Sequence, residues 1–194
     1  MTTRVMAFLV LALSLQGFTE SIGSQLRPGM QLVYSSGGVE TPWTIDSLMR
    51  NLTIGNRTGC VRIRLRTSQQ GTPETRALCA DTTLLSWDDR SGELRPTRPL
   101  TAGGVLEVVQ RSGGSVRFEA GSPSTERVGE TVLWVLPTTV TTRDSTGRVV
   151  RRLQERFSIG LATATGGVFE VPDSTRQSGW RTVRSFELVA LRQP

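Results

Sequence analysis

The residues best suited to chemistry in this 194-residue chain are four acids close together, Asp81, Asp88, Asp89 and Glu93, and two cysteines, Cys60 and Cys79. Paired carboxylates can hydrolyse glycosides, and oxygen ligands can hold calcium. Asp89, however, opens Asp89-Arg90-Ser91-Gly92, where an Asx side chain followed by a glycine is turn chemistry. Asp88 and Glu93 flank the same hairpin, and the spacing of a calcium loop is absent. The expectation is no catalytic residue, no metal site and no cofactor.

Missing residue types narrow the chemistry further. The chain has no histidine, and all 23 basic residues are arginine, so lysine is absent too. Ser-His-Asp and Cys-His catalysis and imidazole zinc sites are excluded, as are Schiff-base chemistry and a phosphate-loop lysine. A catalytic thiol would have no base, so the two cysteines are read as a disulfide. The midpoint between Cys60 and Cys79 falls in the turn-like Ser68-Gln69-Gln70-Gly71-Thr72-Pro73. That symmetry places the cysteines opposite each other on adjacent strands.

The expected oxidising compartment follows from the N-terminus. Arg4 precedes the apolar run from Val5 to Leu15, too short to span a bilayer at about 20 residues and arranged like a secretory leader. Residues 1–23 are taken as a signal peptide, with cleavage between Gly17 and Ser24. Residues 24–194 form a single exported domain, periplasmic or extracellular.

Beyond residue 25 the pattern is that of strands. Val61-Arg62-Ile63-Arg64-Leu65-Arg66 alternates apolar and basic, the pattern of a half-buried strand. Short β-branched or aromatic runs recur along the chain, separated by glycine-rich turns such as Asn56-Arg57-Thr58-Gly59 and Asp144-Ser145-Thr146-Gly147. Hairpins of this kind imply an all-β, antiparallel meander curved into a half-barrel or barrel. Val132-Leu133-Trp134-Val135-Leu136 does not alternate and predicts a strand covered on both faces. Arg95-Pro96-Thr97-Arg98-Pro99 reads as an extended connector.

The opening Leu26-Arg27-Pro28-Gly29-Met30-Gln31-Leu32-Val33-Tyr34 and the closing Gly167-Val168-Phe169-Glu170-Val171-Pro172 and Ser185-Phe186-Glu187-Leu188-Val189 resemble strands of exported bacterial curved-sheet proteins. Periplasmic lipoprotein carriers have such an open half-barrel. The resemblance implies an open, strongly curved antiparallel sheet. No functional residue transfers from it.

A curved sheet with few helices must fill, cover or use its apolar concavity. The leading expectation is therefore a non-enzymatic protein binding a hydrophobic or lipid-like envelope ligand. Its candidate lining residues are Val61, Ile63, Leu65, Trp134, Leu153, Phe157 and Ile159. The net charge of +6 and the arginine-bearing strand faces around 62–66 and 148–156 are read as solvated surfaces, or as contacts for an anionic envelope component. A basic segment interleaved with aromatics is missing, so nucleic acid is not expected as a partner. The second reading is a structural or protein–protein interaction module of the envelope, and the third is a carboxylate-dependent hydrolase.

Overall fold

A computed structural model describes residues 20–67, 71–111 and 113–194. Most of the expected leader, at 1–19, lies outside the described residues, as do Ser68–Gln70 of the expected Cys60–Cys79 turn. The described residues are all-β, with no helix. Their strands are β1 (Gln31–Ser36), β2 (Val39–Ile54), β3 (Arg57–Arg66), β4 (Glu74–Ala80), β5 (Thr83–Asp88), β6 (Glu93–Pro99), β7 (Val105–Val109), β8 (Ser115–Ala120), β9 (Ser124–Val128), β10 (Thr131–Arg143), β11 (Val149–Ser158), β12 (Thr163–Pro172) and β13 (Trp180–Arg192).

The antiparallel meander holds in two runs. Strands β1 to β6 pair in sequence, as do β10 to β13, and β1 pairs with β13 to join the runs into one sheet. β8 and β9 lie end to end along β10, opposite Thr138–Arg143 and Thr131–Val135 respectively, and β7 adds to β8. The two ends of this order, β6 and β7, approach each other without a hydrogen-bonded ladder, so the barrel is nearly closed. Bulges supply the bending. β2 shifts register twice between Ile45 and Leu52, and Asn51 there takes φ 55°, a left-handed conformation that asparagine tolerates better than most residues.

The expected disulfide is present. Val61 pairs with Leu78, which sets Cys60 directly across from Cys79, and their Cα atoms are 4.3 Å apart. That separation matches a non-hydrogen-bonded antiparallel pair, at about 4.5 Å. Closing a loop of this length contributes about 3 kcal/mol by restricting the unfolded chain. The bond is also consistent with an exported protein.

Local turn chemistry follows the sequence with one displacement. Asp144 accepts hydrogen bonds from the Thr146 and Arg148 amides, and Gly147 takes φ 82°. In the hairpin between β5 and β6 the residue with this role is Asp88, which accepts from the Arg90 amide, and not Asp89. Two elements depart from expectation. The prolines of 95–99 do not make a connector but sit in β6, an edge strand, where a missing N–H costs no ladder bond. In β10, Val132 and Trp134 are 48% and 49% exposed while Leu133, Val135 and Leu136 are buried, so the second face of that segment is covered at Leu136 and open at Val132 and Trp134.

One end of the barrel is closed by residues 20–30. The Gly23 N–H donates to the Ile159 carbonyl at 2.9 Å, and the Gln25 N–H to that of Gly160 at 3.0 Å. Ile22, Leu26 and Met30 enter the core with Val61, Ile63, Leu133 and Leu161. Ile22 and Gly23, on the leader side of the boundary drawn at residue 23, are thus packed into the barrel base. Truncating Ile22 to alanine is expected to cost about 2–4 kcal/mol, the range for emptying a core site. Urea titration of a chain that retains Ile22 measures it; a loss below about 0.5 kcal/mol, typical of surface changes, would show that this segment does not close the base.

Candidate functional site

The other end of the barrel is differently built. Strand pairing lines up Leu106, Phe118, Val140, Leu153 and Phe169 in one row across five strands. The next row, deeper in the barrel, is Ala120, Thr138, Glu155, Gly167 and Phe186. Two-residue alternation puts Leu153 on the same face of β11 as Glu155 and Phe157. That face is the interior, because Arg98 reaches it from β6: its Nη1 donates to Glu155 Oε1 at 2.5 Å, and its guanidinium lies 4.1 Å from the Phe157 ring centre. Thr138, Glu155 and Gly167 are buried, but all five members of the outer row are only partly so. Solvent therefore reaches apolar side chains inside the barrel at this end.

Between this open end and the packed base lies a layer of charge and aromatic rings. Arg98 is buried except for 17% of its side chain, and its Nε–H has no partner. Burial lowers the pKa of its guanidinium, and Glu155 opposes that shift. Arg76 stacks 5.6 Å from the Trp43 ring centre while its Nε donates to Glu74 at 2.7 Å. A chain of rings, Trp43, Tyr34, Phe186 and Phe169, runs from this layer to the outer row, with successive centres 4.8, 6.3 and 6.2 Å apart. The Tyr34 hydroxyl donates to the Ala164 carbonyl at 2.9 Å, and burial pushes its pKa up to about 12.

Glycines make room on both faces of β12. A Cβ at Gly167 would stand 2.8 Å from the Phe186 ring. On the opposite face, Arg156 bridges Glu126 at 2.7 Å and Glu187 at 2.6 Å, passing over Gly166.

Of the expected lining residues, Val61, Ile63, Leu65, Phe157 and Ile159 are buried in the core. Leu153 alone stands in the partly exposed row. Trp134 is half exposed on β10 and is not part of the core cluster. The row's other members, with Arg98 and Glu155, were not singled out by sequence. Ser115-Val116-Arg117-Phe118-Glu119 carried an alternation signal for Phe118, but which face met Leu153 depended on registers that no local pattern encodes.

The acidic cluster does not converge on a common centre. Asp81 pairs with Arg57 at 3.1 Å and Asp88 with Arg95 at 3.0 Å, while Asp89 and Glu93 are exposed. Asp88 has its pKa lowered, chiefly by the Arg90 amide, the reverse of what a general acid needs. Among the described residues no group of three or more metal-ligating side chains comes together. Two half-open clefts of about 260 and 190 Å³ share Arg57, Asp81 and Leu85 and lie on the outside of β3 to β6, one reaching Leu106 at the seam with β7. No protein family, curated protein or solved structure matches the chain.

Two measurements check the inner layer. Glu155→Gln leaves the Arg98 charge buried without its counter-ion and is expected to cost about 3–5 kcal/mol, whereas Arg98→Met with Glu155→Leu restores most of that stability. Equal losses in both variants would show that the pair is not coupled. The second measurement is alkaline unfolding. Between pH 10 and about 12 folded Tyr34 keeps a proton that the unfolded chain has lost, so stability falls as pH rises. The slope is roughly 1.4 kcal/mol per pH unit. Tyr34 is the one tyrosine and there is no lysine, so Tyr34→Phe is expected to flatten that slope.

Proposed function

We propose that the protein is a non-enzymatic, exported β-barrel that holds an apolar or lipid-like envelope ligand at its open end. The observation that carries this reading is the partly exposed row Leu106, Phe118, Val140, Leu153 and Phe169 on the interior face. Burying a leucine or phenylalanine is worth about 1.5–3 kcal/mol, and folding realises only part of that at these five positions. An apolar ligand lying along the row gains the remainder. The packed base and the Arg98–Glu155 pair form the floor of the site, so the ligand enters from the open end alone. The likeness to the curved sheets of periplasmic lipoprotein carriers points the same way, although no helix covers the opening among the described residues.

The carboxylates support no hydrolytic reading, since Asp81 and Asp88 are each held by a different arginine. Binding of the solvatochromic dye Nile red tests the proposal. The folded protein is expected to bind it saturably with blue-shifted emission, and Leu153→Glu to weaken binding at least about tenfold through the charge placed in the row. Native mass spectrometry of protein from its own host is expected to find a co-purified apolar species. Absence of saturable binding, or full binding by Leu153→Glu with unchanged near-ultraviolet circular dichroism, would overturn the reading.

A further inference from the structure

The outer face of β2 to β6 is not the solvated surface that its arginine alternation suggests. Strand register sets Leu52 beside Cys60, Cys60 across from Cys79, Cys79 beside Leu85 and Leu85 beside Pro96. That is an apolar row on the outside of the barrel, five strands or about 19 Å wide at 4.8 Å per strand. The adjacent row is Met49, Arg62 and Ala77, continued by the paired Trp87 and Leu94. Ile54, Cys60, Ala77 and Cys79 form a second buried cluster there, on which Leu52, Leu85, Trp87 and Leu94 are partly exposed. Met49, at the margin, is 50% exposed.

Arginines border this patch on one side. Arg62 and Arg64 are exposed and lack an ion-pair partner among the described residues, and they are about 7 Å apart along β3 at two residues per repeat. Their cross-strand neighbours, Met49 and Ala77 for the first and Ser47 and Thr75 for the second, are all uncharged. Acids on or beside the adjoining strands are engaged elsewhere: Asp46 with Arg66 at 2.8 Å, Glu74 with Arg76 at 2.7 Å and Asp81 with Arg57 at 3.1 Å. An antiparallel sheet with its core on one side ordinarily presents polar residues on the other. Here the outside combines a partly exposed tryptophan, a methionine and three leucines with uncompensated cations.

We infer that this outer face docks on an anionic lipid surface. Charge complementarity identifies the occupant. The free guanidinium groups of Arg62 and Arg64 meet phosphate headgroups, where each cation near an anionic membrane adds to binding. Met49, Trp87 and Leu94 settle beside them at the headgroup boundary, the level at which tryptophan collects. A soluble polyanion would engage the arginines and leave the apolar rows in water. The docking face lies outside the barrel wall, distinct from the interior row proposed to hold a ligand, and stands independently of it.

Vesicle flotation with the full exported protein tests this inference. Binding to vesicles of equimolar phosphatidylglycerol and phosphatidylcholine is expected, with at least about tenfold weaker binding to phosphatidylcholine alone. Arg62→Glu with Arg64→Glu is expected to lose that binding by at least about tenfold, while Arg127→Glu with Arg148→Glu, an equal change in net charge elsewhere, keeps it. Met49→Ser is expected to weaken vesicle binding several-fold and leave dextran sulfate binding unchanged. Equal losses from both arginine pairs would reduce the effect to bulk charge and overturn the inference. So would vesicle binding unaffected by Met49→Ser, which defines a polyanion site. A dimer that Arg62→Glu with Arg64→Glu dissociates would assign the face to a second copy of the chain instead.

Discussion

The pairing of the first strand with the last is the constraint on which the architecture rests. Gln31 meets Arg192 and Ser35 meets Glu187, residues separated by most of the chain. Without that ladder the β1–β6 and β10–β13 meanders would each expose a further edge, and edges invite pairing with other chains. With it, the remaining edges are β6 and β7 and the short flank of β9. β6 is blunted by Pro96, Pro99 and a bulge, the devices by which natural sheets prevent continuation. The cost of the arrangement is kinetic. The long closure joining β1 to β13 must form before its contacts stabilise anything, the signature of slow-folding β topologies. A disulfide within β3 and β4 lowers the entropy of one part of the chain without aiding that closure.

The charged layer inside the barrel follows from the two unlike ends. A barrel of this strand number has more interior than side chains of ordinary size can fill at every level. At the base the chain brings in residues 20–30 as a lid. At the other end nothing comparable arrives among the described residues. Arg98, Glu155, Arg76 and Glu74 stand at the level where packed core gives way to solvent-reached rows. Long amphipathic side chains suit that boundary, since their stems cover apolar rings while their heads find counter-ions. Arg98 over Phe157 and Arg76 over Trp43 are both of this form. A buried ion pair seldom stabilises more than a well-packed apolar pair would. Its place here is better explained by the open end, where an all-apolar layer would extend the solvent-reached apolar rows down to the core.

How much of this was readable beforehand depended on the range of the interaction. Alternation in 61–66 identified β3 and its two faces, and turn chemistry around Asp144 placed the hairpin between β10 and β11. The disulfide was legible because a symmetric hairpin fixes its partners by counting. β6 was not, since proline argues against a strand unless its position at an edge is already known. β9 was lost for a similar reason: Ser124–Val128 carries no apolar alternation of note and becomes a strand by pairing along the far half of β10. The interior row joins five strands, and its composition depends on four registers. A one-residue slip in any of them would exchange Leu153 for Arg152 or Gln154, so the site could not be read from any single segment.

The same dependence on register explains why one strand carries two opposite messages. In β3 the residues facing inward are uniformly aliphatic, while those facing outward pass from cysteine to arginine along its length. A purely solvated outer face would have no use for a row of leucines, a disulfide and a proline beside it. Among the described residues they are covered by one another, and the rim of half-exposed Met49 and partly exposed Trp87 and Leu94 leaves the cluster too thin to be a second core. Stability alone would favour replacing that rim with polar side chains, since partly exposed apolar groups gain little in folding and promote association. The disulfide fixes β3 against β4 at the centre of the patch, and the arginines stand on the same rigid ladder. Apolar rim and cations therefore keep a constant spacing, which a flexible segment bearing the same residues would have to lose entropy to reproduce.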